Sequence, residues 1–316
     1  LKKYLVLFIF IILFLSGCSN SYNEGDIQKV GMLTEGKIHD HPWIEKGYEG
    51  LKTVEEKFNV EVVYKENIAP GEETSDVVEE LVNDGVNLIF GHSSSYGKSF
   101  FEISKDYPDV HFVYFNGTYY NENVTSLNFN SHAMGFFAGM LASEMSETNE
   151  VGIIAAYQWQ PEIEGFYEGV KYQDETTNIQ MNFIYDWNDT SIALEMYEQM
   201  KDKNVDVFYP AGDAFSETII QHASKDQLYA IGYVSDQLEI DPRTVLSSTV
   251  QRVNELYEIV AERFNKGELE GEIITFDFKD EVLSIGEFSP DVPESFKNEI
   301  LEAVEEYKES GLLPNQ

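Results

Sequence analysis

The chain has 316 residues, enough for two α/β lobes of ordinary size, and its 42% hydrophobic and 14% aromatic content is that of a globular protein, not a disordered one. Its 57 acidic residues against 21 basic ones leave a formal net charge of -36, which repels a polyanion, and no basic run beyond Lys2-Lys3 offers a nucleic acid a footing. The same charge opposes electrostatic docking on anionic lipid, so any membrane attachment has to come from apolar groups.

The N-terminus supplies such groups. Lys2-Lys3 precedes an apolar run of 12 residues, 4–15, too short to span a bilayer comfortably and suited to the core of a signal peptide. Leu15-Ser16-Gly17-Cys18 follows and looks like a bacterial lipobox, in which small residues fit a signal peptidase and the thiol accepts diacylglycerol. Cys18 is the single cysteine of the chain, so once lipidated it leaves no internal disulfide and no cysteine-based metal site. Residues 1–17 therefore read as a lipoprotein signal peptide and 18–28 as a lipid-anchored polar tether. The expected location is the extracytoplasmic face of a cell membrane.

From there strand and helix alternate. Strands are expected at 29–33, 60–64, 87–90, 110–115 and 125–129, with helices at 43–58, 74–83 and 97–106 between them. A long helix at 133–146 follows, and the alternation restarts. Strands at 151–155, 180–185, 205–209 and 229–233 enclose helices at 162–172, 191–202 and 217–224. A strand at 245–249, a helix at 253–266, a strand at 273–278 and a closing helix at 294–308 complete the chain. Short strands separated by helices mean βαβ units and parallel sheets, here in two Rossmann-like lobes.

Open parallel sheets bind ligands beyond the carboxyl ends of their strands. Trp43, Trp159, Trp187 and Phe215 all follow strands, as do Asp40, Glu162, Asp189, Asp213 and Asp236. Facing lobes would bring the aromatics into one cleft as walls for a flat ligand, with carboxylates accepting its hydrogen bonds. Each aromatic could equally pack its own loop, and each carboxylate could cap a helix; Asp189, before Thr190-Ser191, reads chiefly as a cap. His39-Asp40-His41 offers alternate ligands with no third fixed by spacing, so no metal is expected. No G-x-S-x-G, Walker or G-x-G-x-x-G pattern is present, and neither an enzyme nor a cofactor is expected.

Residues 36–43 (GKIHDHPW) with 45–51 (EKGYEGL) resemble the opening motif of the basic membrane protein family, the PnrA-like substrate-binding lipoproteins of ABC transporters. Tyr107-Pro108-Asp109, residues 133–139, 229–237 (YAIGYVSDQ) and Asn265-Lys266-Gly267 fit as well. Residues 149–157, 159–162, 209–213 (YPAGD) and 245–251 (VLSSTVQ) resemble a regulatory member of the same family, a positive regulator of competence. The resemblance spans nearly the whole mature chain. It implies a type I periplasmic-binding-protein fold whose chain crosses between lobes three times, with lobe 1 at 29–135 plus 251–270, lobe 2 at 136–250 plus 271–290, and a C-terminal helix at 291–316. It also implies a small-molecule ligand, a purine nucleoside in some members, and an ABC permease as partner. Trp43 takes the position that stacks on the base, and Asp40 the acid before it. The family's Asn falls on Ile44, the first Asp of its Asp-Ser-Asp-Gln on Val234, leaving Asp236, and its late Lys on Gln251. Three polar contacts are thus replaced. Two functions follow: solute binding for transport, or indirect regulation on a retained fold without a transport ligand.

Overall fold

A computed structural model describes residues 25–39 and 42–316. Cys18, the signal peptide, most of the tether, Asp40 and His41 lie outside the described residues.

Two six-stranded sheets organise the chain. The first has the order β11-β5-β4-β3-β1-β2, built from β1 (Lys29–Leu33), β2 (Glu61–Lys65), β3 (Leu88–Gly91), β4 (His111–Phe115), β5 (Val124–Phe129) and β11 (Ile273–Phe276), all parallel. The second has the order β12-β10-β9-β8-β6-β7, from β6 (Glu150–Ala155), β7 (Asn178–Phe183), β8 (Val207–Ala211), β9 (Tyr229–Val234), β10 (Val245–Gln251) and β12 (Leu283–Ile285). Only β12 runs antiparallel, against β10. Every residue of β1, β3, β4 and β8 is buried, as expected for parallel strands covered on both faces.

Nine helices are described: α1 (Pro42–Phe58), α2 (Glu72–Asn83), α3 (Tyr96–Ile103), α4 (Ser131–Met145), α5 (Pro161–Gln173), α6 (Thr190–Lys201), α7 (Asp213–Asp226), α8 (Val253–Asn265) and α9 (Glu294–Ser310). Among the described residues no helix is long and apolar enough to cross a membrane.

The chain passes between the lobes three times: through α4, between β10 and α8, and between β11 and β12. This is the type I periplasmic-binding-protein topology. The lobe boundaries differ in one respect from those read in the sequence, which kept 271–290 in one piece with the second lobe. Residues 273–276 instead pair with Ser126–Phe129 on the first sheet, and the chain crosses only after Phe276. The short β12 had no counterpart in the expected elements, because three residues carry too little periodicity. The first and third passages are tied together. Asn130 Nδ2 donates to Asp277 Oδ2 (2.9 Å) and to Tyr307 Oη (2.8 Å), and Tyr307 Oη–H donates to Asp277 Oδ2 (2.7 Å).

Between the lobes, α4 is buried along nearly its whole length against α5. Glycines on both helices permit the contact. A Cβ on Gly139 would stand 2.2 Å from Phe166 O, and one on Gly169 only 1.9 Å from Phe136 O. Both obstacles are helix backbone and cannot swing aside. Gly169→Ala is therefore expected to force the helices apart and lower stability by about 1–3 kcal/mol, the usual range for overpacking. Urea denaturation followed by circular dichroism measures it, and an unchanged midpoint would contradict the packing.

Candidate functional site

Loops at the carboxyl ends of the two parallel sheets carry the candidate residues, and Trp43 stands where the lobes meet. It is the second residue of α1, after Pro42, whose missing N–H costs nothing in a first turn. The indole stacks on His92, just past β3, with centroids 5.0 Å apart and planes 28° apart. It meets Phe115 and Phe129 edge-on at 5.6 and 6.1 Å.

Two hydrogen bonds clamp Trp43 to His92. The indole Nε1–H donates to His92 O at 3.4 Å, and His92 Nε2 lies 2.7 Å from Trp43 O. A carbonyl only accepts, so Nε2 carries the proton and Nδ1 accepts from Tyr257 Oη–H at 2.7 Å. Burial then holds the imidazole's pKa down at about 4, and the ring is neutral. Gly47, one turn along α1, makes room for this ring, since a Cβ there would come within 2.5 Å of it.

The other lobe reaches the same helix end. The backbone N–H of Trp43 donates to both carboxylate oxygens of Asp213, the first residue of α7, at 3.2 Å each. The first N–H groups of a helix have no partner within it and carry partial positive charge. Asp213 thus caps α1 across the cleft, and the lobes touch at this helix end.

Beneath the second lobe's loops lies a polar network with no cation. Glu162 is fully buried; its Oε1 accepts from Gln160 Nε2 (2.8 Å) and Tyr233 Oη–H (2.9 Å). Burial raises the Glu162 pKa, against the opposing effect of these hydrogen bonds, and pushes the Tyr233 and Tyr209 hydroxyls well above their usual range. Gln160 also donates to Ala211 O and accepts from Tyr157 N–H, sewing the loop after β6 to the end of β8.

The remaining sequence candidates divide. Trp159 and Trp187 pack edge-on at 6.0 Å, and both rest on Tyr157, at 5.5 and 5.4 Å. Among the described residues no ring contact joins this group to Trp43. Phe215 is wholly buried in the second lobe, folded over Gly212, and presents no face to a ligand; this corrects its reading as cleft lining. Asp236 accepts from Ser248 Oγ, Leu238 N and Glu287 N, holding the loop after β9 to its neighbours. Asp189 caps α6 through Ile192 N at 3.0 Å. Gln251 ends β10, buried at the second passage. Among the described residues no group of three or more His, Cys, Asp or Glu is placed to hold a metal.

His92, Tyr257, Gln160 and Tyr233 escaped the sequence reading. His92 directly follows a buried strand, a signal open to the rule that found the tryptophans. Tyr257 has none, since it looks like any apolar position of a helix.

Val234 ends β9 with φ 65°. A β-branched residue is rarely found in this left-handed region, whereas Asp, Asn and Gly enter it more easily.

The profile of the family described as ABC transporter substrate-binding protein PnrA-like (Bmp) matches residues 27–316. The transcriptional activator protein med of Bacillus subtilis is 44% identical over 310 residues, covering 98% of each chain. A crystal structure described as a transcriptional activator of the comK gene, from Bacillus halodurans, superposes with a TM-score of 0.84 at 42% identity, covering 90% of this chain and 99% of that one. A purine-binding protein of Brucella abortus is 23% identical over 290 residues, covering 90% of this chain and 82% of its own.

Two outcomes are expected. Asp213→Ala removes the cap from α1, which costs about 0.5–2 kcal/mol, and opens the lobes, so small-angle scattering of the unliganded protein should give a larger radius of gyration. An unaltered scattering curve would refute the role of this contact. At position 234, Gly should give a more stable protein than Ala by about 1 kcal/mol in urea, reversing the usual order, because only glycine adopts φ 65° without strain.

Proposed function

Because the chain belongs to the PnrA-like family of ABC transporter substrate-binding proteins, we propose that it is an extracytoplasmic solute-binding lipoprotein that closes on a small, flat ligand against Trp43. In this reading Cys18 carries the diacylglycerol that holds the protein to the membrane, and an ABC permease receives the ligand. Asp213, already bonded to the backbone of Trp43, would serve it beside an indole that His92 holds in one orientation, and Asp40 and Gln251 are proposed as further polar partners from their places in the sequence. The observation that carries the proposal is that orientation: a tryptophan clamped by two hydrogen bonds and a stacked ring, at the point where the lobes meet. A fixed platform loses little entropy on binding, and stacking adds about 0.5–1.5 kcal/mol beyond burial. A purine nucleoside fits such a platform, and the purine-binding relative supports that class.

A second reading is regulation. It is favoured by Ile44, Val234 and Gln251 at the three replaced family positions, and by the relatives described as transcriptional activators. A net charge of -36 opposes direct contact with DNA. Regulation, including a positive effect on competence, would then be indirect, through the bound state of the lobes or a membrane partner.

Tryptophan fluorescence during titration with a nucleoside panel separates the two. The transport reading expects saturable quenching in the micromolar range, abolished by Trp43→Ala. Silence across the whole panel sinks that reading and leaves the regulatory one.

A further inference from the structure

The second lobe carries a cavity of about 510 Å³ that the cleft does not account for. Trp159, Glu164, Tyr167 and Met181 line it, with Gln158 and Ile163. It opens where the loop after β6 enters α5, beside the edge strand β7. Its volume falls in the range of small-molecule sites, and it is bounded entirely by one lobe, so it persists whether the lobes are open or closed.

Three features of its wall agree in the chemistry they suit. Trp159 is 56% exposed, unusual for so large an apolar side chain, yet it is not loose. Tyr157 stacks on it with planes 21° apart and Trp187 meets it edge-on, so the indole is fixed while surface remains bare. Next, α5 places Ile163, Glu164 and Tyr167 at spacings of three and four residues, on one face beside that indole. Finally, Glu164 is an exposed carboxylate with no ion pair among the described residues, and the nearest basic residue of α5, Lys171, is turned to the carbonyls of Glu175 and Thr177. No cationic side chain lines the cavity. Aromatic faces attract cations through their quadrupole, and a carboxylate beside them adds Coulomb attraction.

We propose that this cavity is a second binding site, separate from the interlobe cleft, for a small organic cation such as a quaternary ammonium or a guanidinium compound. The cation lies against the Trp159 and Tyr167 rings with Glu164 as its counter-ion. An anionic ligand is excluded by Glu164 and by the chain's overall charge. A neutral ligand of the same shape forgoes both attractions.

Isothermal titration of the full chain with choline and with agmatine tests the assignment, and 3,3-dimethylbutan-1-ol serves as the uncharged counterpart of choline. At least one cation should bind saturably and the alcohol about tenfold more weakly or not at all, the difference expected for a cation–π contact reinforced by a carboxylate. Glu164→Gln, which preserves shape, should weaken the cation several-fold. Trp159→Leu, which keeps an apolar side chain, should weaken it about tenfold. Trp43→Ala should leave cation binding intact, so the result is independent of the cleft's ligand. The proposal fails if neither cation binds, if the alcohol binds as well as choline, if only Trp43→Ala abolishes binding, or if both cavity variants, folded by circular dichroism, bind as the parent does.

Discussion

The closed arrangement of this protein turns on one backbone group, the N–H of Trp43. It sits in the first turn of α1, has no partner in its own helix, and receives Asp213 from the opposite lobe. Parallel sheets make such a meeting natural, because each strand ends at the cleft and the next helix begins there with its positive end facing inward. In this chain the anion meeting the helix is its own. A ligand entering the cleft must share Asp213 with Trp43 or take its place. Under the proposed function, donors such as hydroxyls and amines would suit the first course and anions would have to take the second.

The buried groups flanking this contact point the same way. Burial drives His92 downward and Glu162 upward in pKa, and in both cases the neutral form is the one favoured. Each is held by hydrogen bonds and not by an opposite charge: His92 between Tyr257 and Trp43, Glu162 between Gln160 and Tyr233. Beneath the cleft the protein therefore sets directional hydrogen-bond partners. Surface carboxylates influence what approaches; the networks beneath the loops fix the orientation of what is held.

Much of this was legible in the residues. Alternating apolar runs and amphipathic spans mark the strands and helices to within a few positions, and two series joined by a long helix mark two lobes. Errors gather where the backbone does something a side-chain pattern does not record. Tyr185 was read as the end of a strand that in fact stops at Phe183, since Tyr185 takes a left-handed φ of 62°. The third passage was misplaced because Ile273–Phe276 reads as a strand in either lobe, and only its partner β5 decides. In the site, the rule that ligands lie beyond strand ends directs attention to Trp43 and Asp213, which the structure joins across 170 positions. The same rule also selected Phe215, because it takes no account of which way a side chain turns. A phenylalanine one turn into α7 is as apt to fold inward over Gly212 as to face the cleft.

The strength of the cap bears on whether the protein is a carrier or a sensor. A helix cap contributes about 0.5–2 kcal/mol, and 1.4 kcal/mol is a factor of ten in an equilibrium. Asp213 therefore biases the lobes toward closure without locking them, and a ligand shifts the balance only by its preference for one state over the other. The axis of that motion is constrained by Asn130, Asp277 and Tyr307, which bind two of the three passages to α9. Opening must rotate the lobes about this clasp or break it, and breaking it would leave half-buried polar groups to find water. Rotation about the clasp keeps α9 in place while α7 leaves α1. If the proposed function holds, the contact that changes on opening is the one in the cleft, and a transport ligand and a regulatory one would meet the same helix end. Under the proposed function, the two readings would then be alternative uses of one equilibrium, distinguished by what occupies the cleft and not by a different mechanism of closure.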